Sequence, residues 1–175
     1  FIVRLPDNGY LVANKDDKNI PQVTSYKLQV TDYSLDQPES KKLKKILKVP
    51  GIHNVSNALA VLQVARILEI PDKITFDALS EFKGTWRRFE ERQVQISNFK
   101  FQIISDYAHH PNEISATLKA AREKYRKNKI WCVFQPHQRQ RTHYLFNDFV
   151  RILRQAQDNH FIDKMIITDI YDVAG

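Results

Sequence analysis

The sequence predicts an α/β protein in two parts. Three observations carry this. Apolar residues recur at helical spacing across residues 54–82, strict alternation takes over after Gly84, and helix and strand patterns then succeed one another towards the carboxyl end.

Residues 1–33 read as β. Asp7-Asn8-Gly9 is a hairpin turn signal between Phe1–Leu5 and Tyr10–Ala13, and Tyr26–Val30 is a second strand-like run. Residues 34–50 are polar and Lys-rich with no clear period, although Lys41-Lys42-Leu43-Lys44-Lys45 has the look of an exposed helix face. A helix is predicted from about Asn54 to Leu68, where Ala58, Leu59, Val61, Leu62, Ala65 and Leu68 recur. Pro71 follows its end, and residues 74–82 read as another short helix. Val94 and Ile96, then Phe99, Phe101 and Ile103, alternate around Ser97-Asn98 and predict a hairpin. Pro111 suits the first turn of a helix over 112–125, where its missing N–H costs nothing. A strand over 130–134, a helix over 142–154 and a strand over 165–170 follow. Helix, strand, helix, strand in this order implies parallel pairing, with ligands collecting at the carboxyl ends of the strands. Asp106 follows one strand end and His137 another, so both can face one cleft.

At 175 residues, 42% hydrophobic and 27% charged, the chain suits a water-exposed globular protein with one domain or two small pieces. No stretch approaches the roughly 20 apolar residues of a membrane span, and the start lacks the pattern of a signal peptide. The chain begins without Met and ends just after an apolar run, so it reads as a piece of something longer. The single cysteine, Cys132, excludes an internal disulfide and reads as a strand residue packed in the interior. A net charge of +7 attracts anions or simply marks a solvated basic surface. Its aromatic residues do not interleave with the basic ones as a nucleic-acid stacking platform requires. Neither a nucleic-acid nor a membrane partner is therefore expected.

Four polar motifs stand beside predicted element boundaries, where charged side chains can face a ligand without being buried unpaired. In Gly51-Ile52-His53-Asn54-Val55-Ser56-Asn57-Ala58, Asn54 and Asn57 are three apart at a helix start and share a face. An amide that donates and accepts suits an adenine edge, and an N-cap is the structural alternative. In Gly84-Thr85-Trp86-Arg87-Arg88-Phe89, the guanidinium forks suit phosphate, or form an ordinary surface pair. Asp106-Tyr107-Ala108-His109-His110-Pro111 offers an Asp and two His. Adjacent histidines point apart, and no acidic or Cys cluster completes a closed sphere, so a protein-only metal site is not expected. His110 reads as a capping or packing residue. Phe134-Gln135-Pro136-His137 runs on to Arg141-Thr142, and His137 and Arg141 can approach a common anion from the predicted loop.

In this order the four motifs resemble the carboxyl-terminal half of a Mur ligase. The resemblance covers nearly the whole chain and is strong from Pro50 onward. It implies that residues 1–83 are the end of a central ATP-binding (ATPase) domain. Residues 84–175 would be a Rossmann-like C-terminal α/β domain, truncated, with a β-hairpin at its start. It further implies that Asn54 and Asn57 lie against adenine, that Arg88 contacts the ATP phosphates as the catalytic arginine, and that Asp106 meets the ribose. Arg87 is the less certain member of its pair. Tyr107, His109, His137 and Arg141 would border the amino acid. The Phe-Gln-Pro-His-x-x-x-Arg-Thr form is the one that goes with L-alanine, so the implied reaction joins L-alanine to UDP-N-acetylmuramate in the cytoplasm, using ATP and Mg²⁺, for peptidoglycan synthesis. Gln138 departs from the residue usual at its place, and no role is carried onto it. A ligase adding a preformed peptide to the same nucleotide, and a non-enzymatic nucleic-acid-binding module suggested by charge alone, are the alternatives. Glycines stand only at 9, 51, 84 and 175, so this stretch contains no Gly-x-x-x-x-Gly-Lys-Ser/Thr loop. The phosphate loop and metal ligands are expected before Phe1, and this stretch alone is expected to be inactive.

Overall fold

The computed structural model describes residues 5–6, 8–18, 20 and 29–172. The chain divides between Lys83 and Gly84 into two compact units.

The first unit contains strands β1 (Tyr10–Asn14) and β2 (Gln29–Tyr33), then helices α1 (Glu39–Ile46), α2 (Ile52–Ile67) and α3 (Asp72–Glu81). The strands run parallel, with Tyr10 opposite Gln29 and Asn14 opposite Tyr33. A parallel pair needs a long connection rather than a tight turn. Phe1–Arg4 and Asp7 of the predicted hairpin lie outside the described residues, as do Tyr26–Leu28 of the predicted second strand. At the turn itself the Gly9 N–H donates to the Pro6 carbonyl at 2.8 Å.

The Lys-rich stretch forms α1. Lys41, Lys42, Lys44 and Lys45 are exposed on it, while Leu43 is fully buried. One buried residue within a run of lysines leaves little period to read, which is why the helix is hard to see in the sequence. Leu43 packs with Val55, Leu59 and Leu62 of α2 and Phe76 of α3. The Lys42 ammonium covers the Phe76 ring at 3.5 Å. Gly51, at φ 97° and ψ 141°, turns the chain into α2, so the helix opens two residues before the predicted start. Arg66 at the end of α2 bonds Glu39 at 2.8 Å and Asp72 at 2.7 Å, tying all three helices at the surface.

The second unit opens with a hairpin, β3 (Glu90–Ile96) and β4 (Phe99–Ser105), closed by Ser97-Asn98 with Ser97 at φ 54°. Helix α4 (Pro111–Lys124), strand β5 (Trp131–Phe134), helices α5 (Arg139–Tyr144) and α6 (Phe146–Asp158) and strand β6 (Lys164–Ile167) follow. β5 and β6 are parallel, Trp131 opposite Lys164 and Phe134 opposite Ile167. This is the α/β arrangement that the alternating order predicts. Among the described residues the hairpin and the parallel pair are separate two-stranded sheets.

Further boundaries in this unit differ from the sequence reading. The single helix predicted over 142–154 is two helices. α5 opens at Arg139 and breaks at Leu145, whose φ of −104° and ψ of 14° lie off the helical values. β6 stops at Ile167 rather than 170, after which Tyr171 forms an isolated bridge with His137.

The core of this unit is the face of α6 carrying Phe149, Ile152, Leu153 and Ala156, packed on Ile114 and Leu118 of α4 and Phe134 of β5. Each large apolar side chain buried here contributes roughly 1.5–3 kcal/mol. Cys132 packs against this core from β5, and burial pushes its thiol pKa up. Tyr125 donates to Glu91 at 2.6 Å, and burial with that carboxylate pushes its hydroxyl up to about 12.

Candidate functional site

The functional side chains of the second unit stand at strand ends. Asp106 to His109 follow β4, His137 follows β5, and Tyr171 lies four residues beyond β6. Arg87, Asp106, Tyr107, His109, His137 and Tyr171 line one cleft of about 1260 Å³, together with the apolar Ile104, Ile114, Leu118 and Phe134. A cleft lined by apolar side chains with a few polar groups among them is the usual form of a small-molecule site.

Asp106 is a clip as well as a lining residue. One carboxylate oxygen accepts from the Phe89 N–H at 2.9 Å and the other from the Ala108 N–H at 2.7 Å. The Tyr107 N–H donates to the Arg87 carbonyl at 2.8 Å. These bonds bind the arginine turn to the loop after β4. Arg87 and Phe89 both take positive φ, 53° and 50°, a conformation that costs energy for residues with side chains. Each Asp106 oxygen keeps a lone pair for a ligand hydroxyl.

Tyr107 is the centre of an aromatic and cationic group. The Arg87 guanidinium lies 4.9 Å from its ring centroid, the His109 ring 5.5 Å and the His137 ring 6.1 Å. His109 Nδ1 is 3.0 Å from the Tyr107 carbonyl. The Arg141 guanidinium reaches His137 Nδ1 at 3.4 Å. A guanidinium can only donate, so Nδ1 accepts and the imidazole proton is assigned to Nε2.

His110 caps α4. Its Nδ1 accepts from the Asn112 N–H at 3.3 Å, and the Glu113 carboxylate accepts from the N–H groups of His110 at 3.2 Å and His109 at 3.0 Å. Burial raises the Glu113 pKa, but those two backbone bonds and the nearby His109 and Arg88 outweigh it and hold the carboxyl below its ordinary value. Among the described residues no group of three or more His, Cys, Asp or Glu is placed to hold a metal ion.

The structure thus brings Asp106, Tyr107, His109 and His137 together. Arg141 joins them through His137. It lies on α5 rather than in a loop, because that helix opens earlier than predicted. Arg88 is exposed, and it is Arg87, the less certain of the pair, that lines the cleft. Asn54 and Asn57 belong to the first unit, on α2. Asn54 is not the cap of that helix, a place held by Gly51, and its amide donates to the Pro50 carbonyl at 2.7 Å. Asn57 is exposed. Arg87, which the sequence reading places second to its neighbour, is a lining residue, and so is Tyr171, which that reading does not single out although it follows a strand end, the same signal that marks His137.

Comparison with known proteins decides the family. Residues 87–169 match the family described as "Mur ligase, glutamate ligase domain". The chain is 39% identical to the UDP-N-acetylmuramate–L-alanine ligase of Clostridium acetobutylicum, over 98% of this chain and 40% of that protein. The chain belongs to the Mur ligase family. The enzyme of the same name from Nitrosomonas eutropha is 36% identical, over 98% of this chain and 41% of its own length. The chain therefore spans about two fifths of the curated relatives it matches. Among solved Mur ligase structures, the UDP-N-acetylmuramate-alanine ligase of Thermotoga maritima is 35% identical. It superposes with a TM-score of 0.57 over 71% of this chain and 26% of that one. A murein peptide ligase from Psychrobacter arcticus, 17% identical, shares the fold alone, with a TM-score of 0.56 over 94% of this chain and 44% of that one.

Proposed function

We propose that this Mur ligase chain is part of an enzyme that uses ATP to join L-alanine to UDP-N-acetylmuramate in the cytoplasm, for peptidoglycan synthesis. The observation that carries the reading is the grouping of Tyr107, His109 and His137 on the lining of one cleft, with Arg141 bonded to His137. The names of the 36–39% identical relatives support the substrate assignment. On this reading residues 1–83 close a central ATP-binding domain and residues 84–175 belong to the C-terminal domain.

The reaction has a physical logic. A carboxylate is a poor electrophile until one of its oxygens becomes part of a good leaving group. The lactyl carboxylate of the sugar nucleotide takes the γ-phosphoryl group of ATP, releasing ADP. The amine of L-alanine then attacks the acyl carbon, the amide C–N bond forms, and phosphate leaves with the former carboxylate oxygen. The amine's surplus protons pass to solvent or to a nearby base. Mg²⁺ would offset charge on the phosphoryl group, and no residue of this chain is assigned to hold it.

Each side chain has a task that suits its chemistry. Arg141 donates to the amino acid carboxylate, which a guanidinium fork matches with two parallel bonds, and His137 holds that guanidinium through Nδ1. Tyr107 and His109 wall the small side chain and the amine. Asp106 accepts from a ribose hydroxyl with its remaining lone pairs. Arg88, exposed and held near Glu113, offers its guanidinium to the phosphates. Asn57 offers an exposed amide to adenine, and Asn54 keeps its carbonyl oxygen free of the bond its NH₂ makes to Pro50.

The test is ADP release by the full-length protein. It should require both UDP-N-acetylmuramate and L-alanine. Release that needs a preformed peptide in place of L-alanine refutes the substrate reading, as does steep salt-dependent binding to any DNA or RNA with no turnover.

A further inference from the structure

The loop between β5 and α5 holds its shape against a local cost. Gln138 sits at φ 67° and ψ 126°, a combination that side-chain-bearing residues rarely adopt. A strained backbone persists only where its surroundings fix it from several directions. Here the Gln138 N–H donates to the Tyr171 carbonyl at 2.8 Å. The Gln138 carbonyl accepts from the Thr142 N–H at 3.0 Å and the Thr142 hydroxyl at 2.9 Å. The Tyr171 N–H in turn donates to the Pro136 carbonyl at 2.8 Å. Next to it, Asp172 accepts from Arg139 Nε at 2.8 Å. Residues 171–172 thus grip the chain on both sides of His137.

The grip extends to the imidazole. The Tyr171 ring lies 5.5 Å from the His137 ring, tilted by 34°, and Tyr107 meets the same ring at 63°. Arg141 bonds the imidazole Nδ1. An imidazole constrained by two aromatic rings and a guanidinium has few rotamers left to it.

We propose that Tyr171 is a positioning residue: its backbone and Asp172 hold the loop 136–139, and its ring, packed on the imidazole, keeps His137 with Nδ1 on Arg141 and Nε2–H as its donor. Tyr171 acts through His137, and its benefit to alanine binding rests on the function proposed above. The ring, not the hydroxyl, makes the contact, so Phe at this position should serve as well as Tyr.

Two measurements separate this positioning from the function it serves. The first is a long-range ¹H–¹⁵N NMR spectrum of the histidine rings in the 175-residue chain, with His137 assigned by its own substitution. His137 should show one Nε2–H tautomer and ring-current-shifted protons in the unsubstituted chain and in Tyr171→Phe. Tyr171→Ala should return its signals towards those of a free imidazole and mix the tautomers. Unmoved His137 signals in Tyr171→Ala overturn the proposal. The second measurement is kinetics of the full-length enzyme. Tyr171→Ala should raise the L-alanine KM about tenfold, the factor that 1.4 kcal/mol of lost preorganisation produces, and leave the ATP KM within about twofold. Tyr171→Phe should match the unsubstituted enzyme. An alanine KM that stays flat while the NMR signals move refutes positioning for the substrate. If the unsubstituted enzyme shows no alanine-dependent turnover, the proposed function fails by itself, and the NMR result alone decides whether the Tyr171 ring positions His137.

Discussion

Replacing Arg141 by Lys preserves the charge and removes the fork. In the structure the guanidinium spends one of its donors on His137 Nδ1 at 3.4 Å, which leaves others for a carboxylate. A Lys ammonium is a point donor on a flexible stem and cannot keep the His137 bond while making two parallel bonds to one carboxylate. At least one charge-assisted hydrogen bond is lost, each worth about 1.5–3 kcal/mol. At tenfold per 1.4 kcal/mol, the L-alanine KM of the full-length enzyme should rise by about 10- to 150-fold. The ATP KM should stay within about twofold, because no lost bond touches the nucleotide. The assay is steady-state kinetics for all three substrates, beside a melting curve. If Arg141 only anchors α5, the melting curve shifts and every KM moves alike. A flat alanine KM refutes the carboxylate-clamp reasoning.

Three further outcomes follow from the same geometry. Arg88→Ala in the full-length enzyme should lower kcat by roughly 10²–10³-fold if its guanidinium meets charge that develops on the phosphoryl group, and unchanged ATP kinetics argue against that role. Leu153→Ala should cost about 2–5 kcal/mol in urea unfolding, since the side chain is buried between α4, α6 and β5; a loss below roughly 0.5 kcal/mol contradicts the packing. Because the Glu113 pKa is lowered in the folded chain, its contribution to stability is present above the ordinary carboxylate value and is lost as pH falls through the folded value. The melting difference between the unsubstituted chain and Glu113→Gln should therefore be constant near neutrality and shrink below about pH 4; a gap that widens on acidification has the wrong sign.

The parts of this molecule that were legible in the sequence share a physical cause. α2 and α4 bury a full stripe, so Leu59, Leu62, Ile114 and Leu118 recur at helical spacing and can be read directly. The β3–β4 hairpin alternates cleanly around Ser97-Asn98. α1 is obscured because Leu43 alone among its five central residues faces the core. The break at Leu145 and the early start of α5 are obscured for another reason. Leu145 carries no breaker residue to mark it, and Gln138 starts the helix from a backbone conformation that its side chain does not announce. That shift moved Arg141 from a predicted loop onto a helix without changing its neighbour, since His137 is four residues away along the chain in either case. The grouping of Tyr107 with His137 was readable from the strand-end rule. The place of Tyr171 at the cleft was readable from the same rule, since it follows the strand predicted over 165–170; its ring contact with His137 was not, because backbone bonds to residues 136 and 138 set it in place and no side-chain pattern encodes them.

The central claim is that the full-length protein activates the lactyl carboxylate as an acyl phosphate and passes it to L-alanine. UDP-N-acetylmuramate labelled with ¹⁸O in that carboxylate, incubated with the full-length protein, ATP, Mg²⁺ and L-alanine, tests it most directly. One labelled oxygen should appear in each phosphate released, and only when L-alanine is converted to amide. Unlabelled phosphate, or labelled phosphate with no alanyl product, contradicts the account.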